Sequence, residues 1–404
     1  MMIIITLLPA VYAQRALKEF PIGMWCAPPV AQTTEERYKE IANAGFTIVL
    51  PPCDGRGELA DNRKILEASR SAGLKAIIQD SRMPRSMEEP DAQKRIDAIL
   101  QDYGRNSAIA GWFLCDEPSA ADFSGWATVV AALKKAVPGL PGYINLFPGY
   151  ASPAQLGAES YDRYVELFNE TVKPSILSFD HYPLLKTGDR PELFQDLSII
   201  RAAANSRNRP FWMVLLCTPH GAYRAPTEAE KRWEAMQALA YGAGGILWFT
   251  YWTPTDPSFV WEPGIIGPDG KPSAQYEQIK RINADVRAMG KYLLNSVQVT
   301  VFQSGNISPG GTPREQGTPV KVASGGDLTV GIYRADTHLY ALIANRDYRK
   351  SVEATFLFTV SSDRAQILDR NTGRWREIKG KRNEEKDMEI VQEFPAGDAM
   401  LFRW

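Results

Sequence analysis

From residue 21 onward the chain repeats one pattern: a short, near-continuous apolar run, a Gly/Pro/Asp turn, then a segment whose apolar positions recur at helical spacing. Eight apolar runs recur, at Pro21–Ala27, Phe46–Pro51, Leu74–Asp80, Ile109–Cys115, Gly142–Phe147, Ile176–Tyr182, Phe211–Thr218 and Gly245–Trp252. Apolar runs without alternation fit strands covered on both faces, as in parallel sheets. The segments between them carry helix start and stop signals. Thr33-Thr34-Glu35-Glu36 opens the first and Asn43-Ala44-Gly45 closes it. Thr227-Glu228-Ala229-Glu230 opens the seventh, and Gly242-Ala243-Gly244-Gly245 ends it. Hydroxyl groups and acids suit the free N–H groups of a helix start, and Gly suits its end. The last segment, from Ser273 to Tyr292, aligns Tyr276, Ile279, Ile282, Val286 and Met289 on one stripe. Eight strand–helix units predict the α/β class and a closed (β/α)8 TIM barrel. The competing open, doubly wound sheet lacks support, because no Gly-rich fingerprint follows any of the runs.

The pattern changes after Leu294. Val297–Phe302, Leu328–Arg334, Leu339–Asn345, Glu353–Val360, Ala365–Leu368 and Ala399–Trp404 read as short strands. Turns such as Ser324-Gly325-Gly326-Asp327 and Asn371-Thr372-Gly373 separate them. This predicts a small antiparallel β-sandwich, with the charge run Lys379–Lys386 as a solvated hairpin loop. The expected division is a leader over 1–20, a barrel over 21–296 and a sandwich over 297–404. The leader rests on the apolar stretch Met1 to Ala13, which ends in small-residue Val11-Tyr12-Ala13 and is too short to span a bilayer. It points to a secreted or periplasmic protein.

Composition narrows the partners. The chain has 404 residues and a net charge of −1, so neither nucleic acid nor an anionic membrane surface is expected. No segment reaches transmembrane length, and oligomeric state is left open. The four cysteines, Cys26, Cys53, Cys115 and Cys217, form no CxxC pair. A Cys26–Cys53 disulfide between neighbouring strands is one outcome in an exported protein; small buried hydrophobes are the other. Only three His are present, no His-Glu-x-x-His motif occurs, and no cofactor or metal is expected.

Gly111-Trp112-Phe113-Leu114-Cys115-Asp116-Glu117-Pro118 is the most informative segment. A buried strand ends there in two adjacent carboxylates. Paired acids at the carboxyl end of a barrel strand suit acid/base work on a glycosidic bond. The competing assignment makes Asp116 a helix cap and Glu117 solvated. The other strand ends contribute Trp25, Asp54, Asp80, Asn145, Asp180, His181, Tyr182, Thr218, His220, Trp248, Tyr251 and Trp252, with Trp261 and Glu262 in the last loop. Acids and amides bind hydroxyls, and aromatic rings stack on apolar sugar faces. Trp248 is also a candidate for filling the barrel.

These residues give a resemblance. Trp112 to Pro118, Tyr143-Ile144-Asn145-Leu146, His181-Tyr182 and Leu247-Trp248-Phe249-Thr250-Tyr251-Trp252 are similar to strands 4, 5, 6 and 8 of clan A (β/α)8 glycoside hydrolases. Ile266-Gly267-Pro268-Asp269-Gly270-Lys271-Pro272 resembles the closing element of β-galactosidase-like members, and the C-terminal sandwich resembles their accessory domains. The resemblance implies that Glu117 is the acid/base. Two departures stand out: Asp116 replaces the usual Asn, and strand 7, Val214-Leu215-Leu216-Cys217-Thr218-Pro219-His220, lacks the nucleophile Glu. The second carboxylate is then Asp180, or Glu262, or Asp116 working with water.

The expected function is a glycoside hydrolase acting on a polysaccharide or oligosaccharide. Glu117, Asp180, Asp116 and Glu262 are its candidate catalytic residues. Trp25, Asp54, Asn145, His181, Tyr182, His220, Trp252 and Trp261 are its candidate substrate contacts. The alternative is a carbohydrate-binding protein on a hydrolase-like barrel. A third reading is a metal-dependent enzyme using Asp54, Asp80, Asp180 and His220.

Overall fold

The computed structural model describes residues 19–335, 338–359, 365–384 and 387–404, so most of the leader-like segment lies outside the described residues. Eight parallel strands form one sheet: β1 (Ile22–Met24), β2 (Ile48–Val49), β3 (Lys75–Ile78), β4 (Ile109–Asp116), β5 (Gly142–Leu146), β6 (Leu177–Asp180), β7 (Phe211–Leu216) and β8 (Gly245–Phe249). Their order, β1-β8-β7-β6-β5-β4-β3-β2, follows the chain around a ring. Between β1 and β2 the ring closes through Thr47, whose N–H donates to the Ile22 carbonyl at 2.8 Å while its Oγ1 accepts from the Ile22 N–H at 2.9 Å. This is the (β/α)8 barrel that the pattern predicts.

The helices are α1 (Glu35–Asn43), α2 (Leu59–Ser71), α3 (Ala92–Tyr103), α4 (Phe123–Ala136), α5 (Tyr161–Thr171), α6 (Leu193–Ser206), α7 (Glu228–Ala240) and α8 (Ala274–Leu293). Their starts follow the sequence signals. The Thr34 hydroxyl accepts from Arg37 N–H at 3.3 Å, and Thr227 forms a reciprocal capping box with Glu230. Side chains alternate between the barrel interior and the helical layer. Phe113 lies against Tyr143, which lies against Trp212, with centroids 5.9 and 6.1 Å apart. Trp112 faces Tyr103 of α3 instead. Trp248 also faces outward, donating to Asn283 Oδ1 on α8 at 2.9 Å, so it fills the strand–helix layer and not the barrel centre.

The C-terminal strands are β9 (Val297–Gln303), β10 (Val320–Ser324), β11 (Leu328–Ala335), β12 (His338–Asn345), β13 (Val352–Phe358), β14 (Ala365–Asp369), β15 (Arg374–Ile378), β16 (Lys381–Arg382), β17 (Met388–Phe394) and β18 (Ala399–Arg403). Six form the sheet β9-β11-β12-β18-β14-β15 and four form β10-β13-β17-β16. Phe302, Val330, Phe356, Phe394 and Phe402 fill the space between the sheets. The opposite face of the larger sheet joins the barrel core through Tyr333, Leu342 and Leu401. A Cβ at Gly331 would collide with the Ala240 carbonyl oxygen of α7, so the close approach there requires glycine. The expected loop at Lys379–Lys386 contains β16, which pairs with Met388 and Glu389; residues 385 and 386 lie outside the described set. No described helix is long and apolar enough to cross a membrane.

Cys26 and Cys53 form a disulfide, with Cα atoms 4.7 Å apart. It joins the loops that follow β1 and β2. Cys115 and Cys217 are free.

Candidate active site

The carboxyl end of β4 sets the geometry. Its pairing with β5 shifts register between Phe113 and Cys115, then aligns Asp116 with Asn145. At Glu117 the backbone turns into the left-handed region, with φ 47°. Such a conformation costs a non-glycine residue about 1 kcal/mol and needs support from its surroundings. That support is visible: Glu117 N–H donates to the Asn145 carbonyl at 2.8 Å, and Tyr164 of α5 donates its hydroxyl to the Pro118 carbonyl at 2.7 Å. Asp116 caps no helix, because the next α-helix begins behind Asp122.

Asn145 joins two of the acids. Its Nδ2 donates to Asp180 Oδ1 at 2.9 Å and to Asp116 Oδ1 at 3.3 Å. Its Oδ1 accepts from Ser178 Oγ at 3.0 Å, and Ser178 Oγ lies 2.8 Å from the Tyr143 hydroxyl. The Ser178 donor fixes the amide orientation, which leaves the N–H groups facing the carboxylates. Strands β4, β5 and β6 therefore deliver Asp116, Asn145 and Asp180 to one corner of the barrel mouth, with Glu117 above them.

Electrostatics mark the same corner. Burial first, then the charge of Asp116, raises the Glu117 pKa to about 7. Asp116 keeps open surface at the mouth, yet protein crowds its other sides. That loss of water raises its pKa to about 6, and the Asn145 hydrogen bond works in the opposite direction. Asp180 is buried and raised well above the ordinary carboxylate range, by burial first and then by the charges of Glu117 and Asp116. The charges of Glu117 and Asp116 both act on Asp180, so ionising either neighbour makes Asp180 harder to ionise.

The arc over β7 and β8 differs. Leu216 is followed by Cys217 and Thr218, both buried, and Thr218 Oγ1 lies 3.0 Å from Thr250 Oγ1. His220 Nδ1 donates to the Thr218 carbonyl at 2.8 Å, and burial holds its pKa below the ordinary value. Its ring stacks on Trp261, with centroids 4.7 Å apart and planes 27° apart. Tyr182 sits edge-on to Tyr223 at 5.3 Å and near Phe249 at 5.6 Å. Trp25 is half-buried and edge-on to Phe113.

Other expected site residues lie apart from the acids. His181 is fully buried, with Nδ1 2.7 Å from Asp196 Oδ2 on α6, and direct contact with a ligand does not fit that burial. Asp80 is held by Arg82, with a 2.9 Å ion pair. Glu262 is exposed, and it is not among the charges acting on Glu117, Asp116 or Asp180. Asp54 and Trp252 line a cavity of about 300 Å³ over β1, β2 and β8. The set Asp54, Asp80, Asp180 and His220 does not converge: among the described residues no group of three or more His, Cys, Asp or Glu is arranged to hold a metal ion.

The sequence reading missed several supports. Tyr150, on the loop after β5, places its hydroxyl 3.2 Å from that of Tyr223 and accepts from Tyr182 N–H at 3.4 Å. Its own ring carries the Arg190 guanidinium at 3.8 Å. Ser178 carried a usable signal, a lone hydroxyl inside an apolar strand. Tyr150 carried none, since its loop has no periodicity.

No family model matches the chain, and no curated protein matches it in sequence. Solved structures do match in fold. A β-galactosidase from the psychrophilic Marinomonas ef1 aligns with 11% identity and a TM-score of 0.54, over 68% of this chain and 61% of that one. A GH42 β-galactosidase from G. stearothermophilus aligns with 8% identity and a TM-score of 0.63, over 96% and 98%. A β-galactosidase from Bacillus circulans sp. alkalophilus gives 10% identity and 0.62, over 97% and 100%. At these identities the likeness is one of fold alone: a (β/α)8 barrel with attached β domains.

Proposed function

We propose that the chain is a glycoside hydrolase with Glu117 as its general acid. The observation that carries this reading is the Glu117 carboxyl, held protonated to about pH 7 at the mouth of a barrel, beside a second buried acid. A donor titrating near neutrality can give its proton to a glycosidic oxygen as the bond to the anomeric carbon breaks. Asp180 is the second carboxylate. It either takes the proton of an attacking water or bonds the anomeric carbon itself, and the anomer of the first product tells which. Asn145 holds Asp180 in place, and Asp116 supplies part of the charge that keeps Glu117 protonated. Trp261, His220 and Tyr182 form an aromatic wall suited to sugar faces. The Cys26–Cys53 disulfide supports an oxidising location outside the cytosol. The proposed domain limits are 21–296 and 297–404.

A screen of aryl glycosides and oligosaccharides tests the reading. The wild-type chain should release product from at least one class, and Glu117→Gln should lower turnover of an oligosaccharide, whose leaving group needs protonation, by about a thousandfold. Wild-type turnover in the variant would remove Glu117 from the mechanism.

A second reading is favoured by one observation: the end of β7 carries buried Cys217 and Thr218 and no carboxylate. The barrel would then bind saccharides without cleaving them. Calorimetric binding with no product from any bound glycan would select it.

A further inference from the structure

The loop that follows Asp180 cannot hold its shape alone. It carries His181 and Tyr182, then folds into a hairpin of two-residue strands, Leu184–Leu185 and Gly188–Asp189. Strands this short are not stable by themselves, so their position depends on what grips them. At the base, Arg190 N–H donates to the Pro183 carbonyl at 2.8 Å. Along one edge the hairpin joins the loop after β7: Lys186 N–H donates to the Ala222 carbonyl at 2.9 Å, and Arg224 N–H donates to the Leu184 carbonyl at 3.1 Å. Its last residue, Asp189, is gripped from the other domain.

Tyr348 and Arg349 lie in the sandwich, on the turn between β12 and β13. The Tyr348 hydroxyl donates to Asp189 Oδ2, and Arg349 Nη2 reaches the same oxygen at 3.5 Å. Arg224 Nη2 donates to Oδ1 at 3.1 Å. The Tyr348 ring is already fixed: it sits edge-on to Trp233 of α7, with centroids 5.4 Å apart, and carries the Arg349 guanidinium at 4.8 Å. A donor held in place loses little entropy on bonding, unlike an exposed ion pair between two long side chains. A second sandwich loop, between β9 and β10, presses on α6. A Cβ at Gly310 would come within 2.2 Å of Gln195 Cα, and Ser198 Oγ donates to the Gly310 carbonyl at 2.7 Å. The residue after Gln195 is Asp196, which accepts from Gly149 N–H at 2.8 Å and lies 2.7 Å from His181 Nδ1.

The sandwich can serve as a support because it is locked to the barrel. Arg370 donates to both oxygens of Asp398 at 2.7 Å, and its Nε lies 3.4 Å from Asp285 of α8. Arg232 of α7 pairs with Asp285 and lies 3.6 Å from Asp398. Charges of alternating sign thus cross the seam between the domains. At the inner end of the hairpin, Arg190 covers the Tyr150 ring, and Tyr182 N–H donates to the Tyr150 hydroxyl. Burial first, then the charge of Asp180, holds that hydroxyl well above the ordinary tyrosine range, so it lies in the field of the acids.

We propose that Tyr348 is a positioning residue of the barrel mouth: through Asp189 the sandwich holds the hairpin, and with it Tyr150 and Tyr182, beside Asp180. The inference rests on the glycosidase reading for what these loops serve, but its first readout needs no turnover. Hydrogen exchange is followed at the N–H groups of Lys186, Arg190 and Arg224. Tyr348→Phe keeps the ring and removes the donor, and should speed exchange there roughly tenfold, the effect of losing one charge-assisted hydrogen bond. Exchange at Arg82 N–H, on the loop after β3, and the melting temperature should stay as in the wild type. Asp189→Ala should loosen the same groups, and adding Tyr348→Phe to it should do nothing more, because both act through one contact. Asp189→Ala also decides if Tyr348→Phe does not fold. On any glycan the wild type cleaves, each variant should lower kcat about tenfold with KM nearly unchanged, since the groups around Asp180 are displaced. Unchanged exchange at the hairpin overturns the proposal. So does loosening spread over the barrel with a lowered melting temperature, a further loss in the double variant, or a loosened hairpin with wild-type kcat. If the wild-type protein cleaves no glycan, the hydrolase reading fails, and the exchange pattern alone decides whether the sandwich holds the loop.

Discussion

Two arcs of one barrel mouth are built from different materials. Over β4, β5 and β6 the strand ends carry Asp116, Asn145 and Asp180, with Glu117 on a left-handed turn above them. Over β7 and β8 the same positions carry Cys217, Thr218 and Phe249, backed by His220, Tyr182 and Trp261. Both arcs are parallel strand ends of one sheet, and they differ in side chains and in backbone: β4 shifts register against β5 and turns left-handed at Glu117, whereas β7 and β8 pair without a shift. One arc raises the pKa of every acid it holds; the other presents rings. On the proposed reading, proton transfer and sugar recognition fall to neighbouring arcs of the mouth, because β6 pairs directly with β7, and the acids crowd together on one of them.

The contrast can be broken most forcefully at Asp180. Asp180→Asn keeps the shape and removes the second acid, and should lower kcat by about a thousandfold. Steady-state kinetics on any accepted substrate checks this, and a change confined to KM would move Asp180 to the recognition side.

The acidic arc also leaves a mark on stability. Its carboxyls bind protons more tightly in the folded chain than in the unfolded one, so stability falls as pH rises from about 4 to about 7. The loss is absent below the unfolded pKa values and complete above the folded ones. Asp180→Asn should flatten this decline in thermal melts recorded at pH 4.5 and 7.5. An equally steep decline in the variant would show that the acids are not coupled.

Smaller effects belong to the aromatic arc. Trp261→Ala should raise KM roughly fivefold to tenfold with kcat nearly unchanged, since stacking is worth about 1 kcal/mol. A fall in kcat instead would draw Trp261 into the chemistry. The smallest change is expected from Asp116→Asn. Its charge is the second cause of the raised Glu117 pKa, so removing it should move the alkaline limb of the pH–rate profile below about 7. An unmoved limb would leave burial as the sole cause.

Much of this was legible in the sequence because barrel strands advertise themselves. The runs Ile109–Cys115 and Phe211–Thr218 are apolar without alternation, and Thr34, Thr227 and Ser273 announce helices that do begin there. The acids at β4 and β6 stood out because charge ending an apolar run is unusual. What escaped detection depends on side-chain direction or on distant partners. Trp248 reads as barrel filling until its register turns it toward Asn283. His181 reads as a ligand contact until Asp196, fifteen residues away on α6, engages it. The strand Met388–Phe394 was missed because Glu389, Gln392 and Glu393 dilute its apolar positions, Met388, Ile390 and Phe394, which alone face the sandwich core.

The account rests on Glu117 delivering a proton to the departing oxygen. Comparing two leaving groups on one sugar tests that most directly, because an activated aryl oxide departs without protonation and an alkyl alcohol does not. Glu117→Gln should cut turnover of the alkyl glycoside by about a thousandfold or more while sparing the activated aryl glycoside in its bond-breaking step. Equal loss on both substrates, or no loss on either, would contradict it.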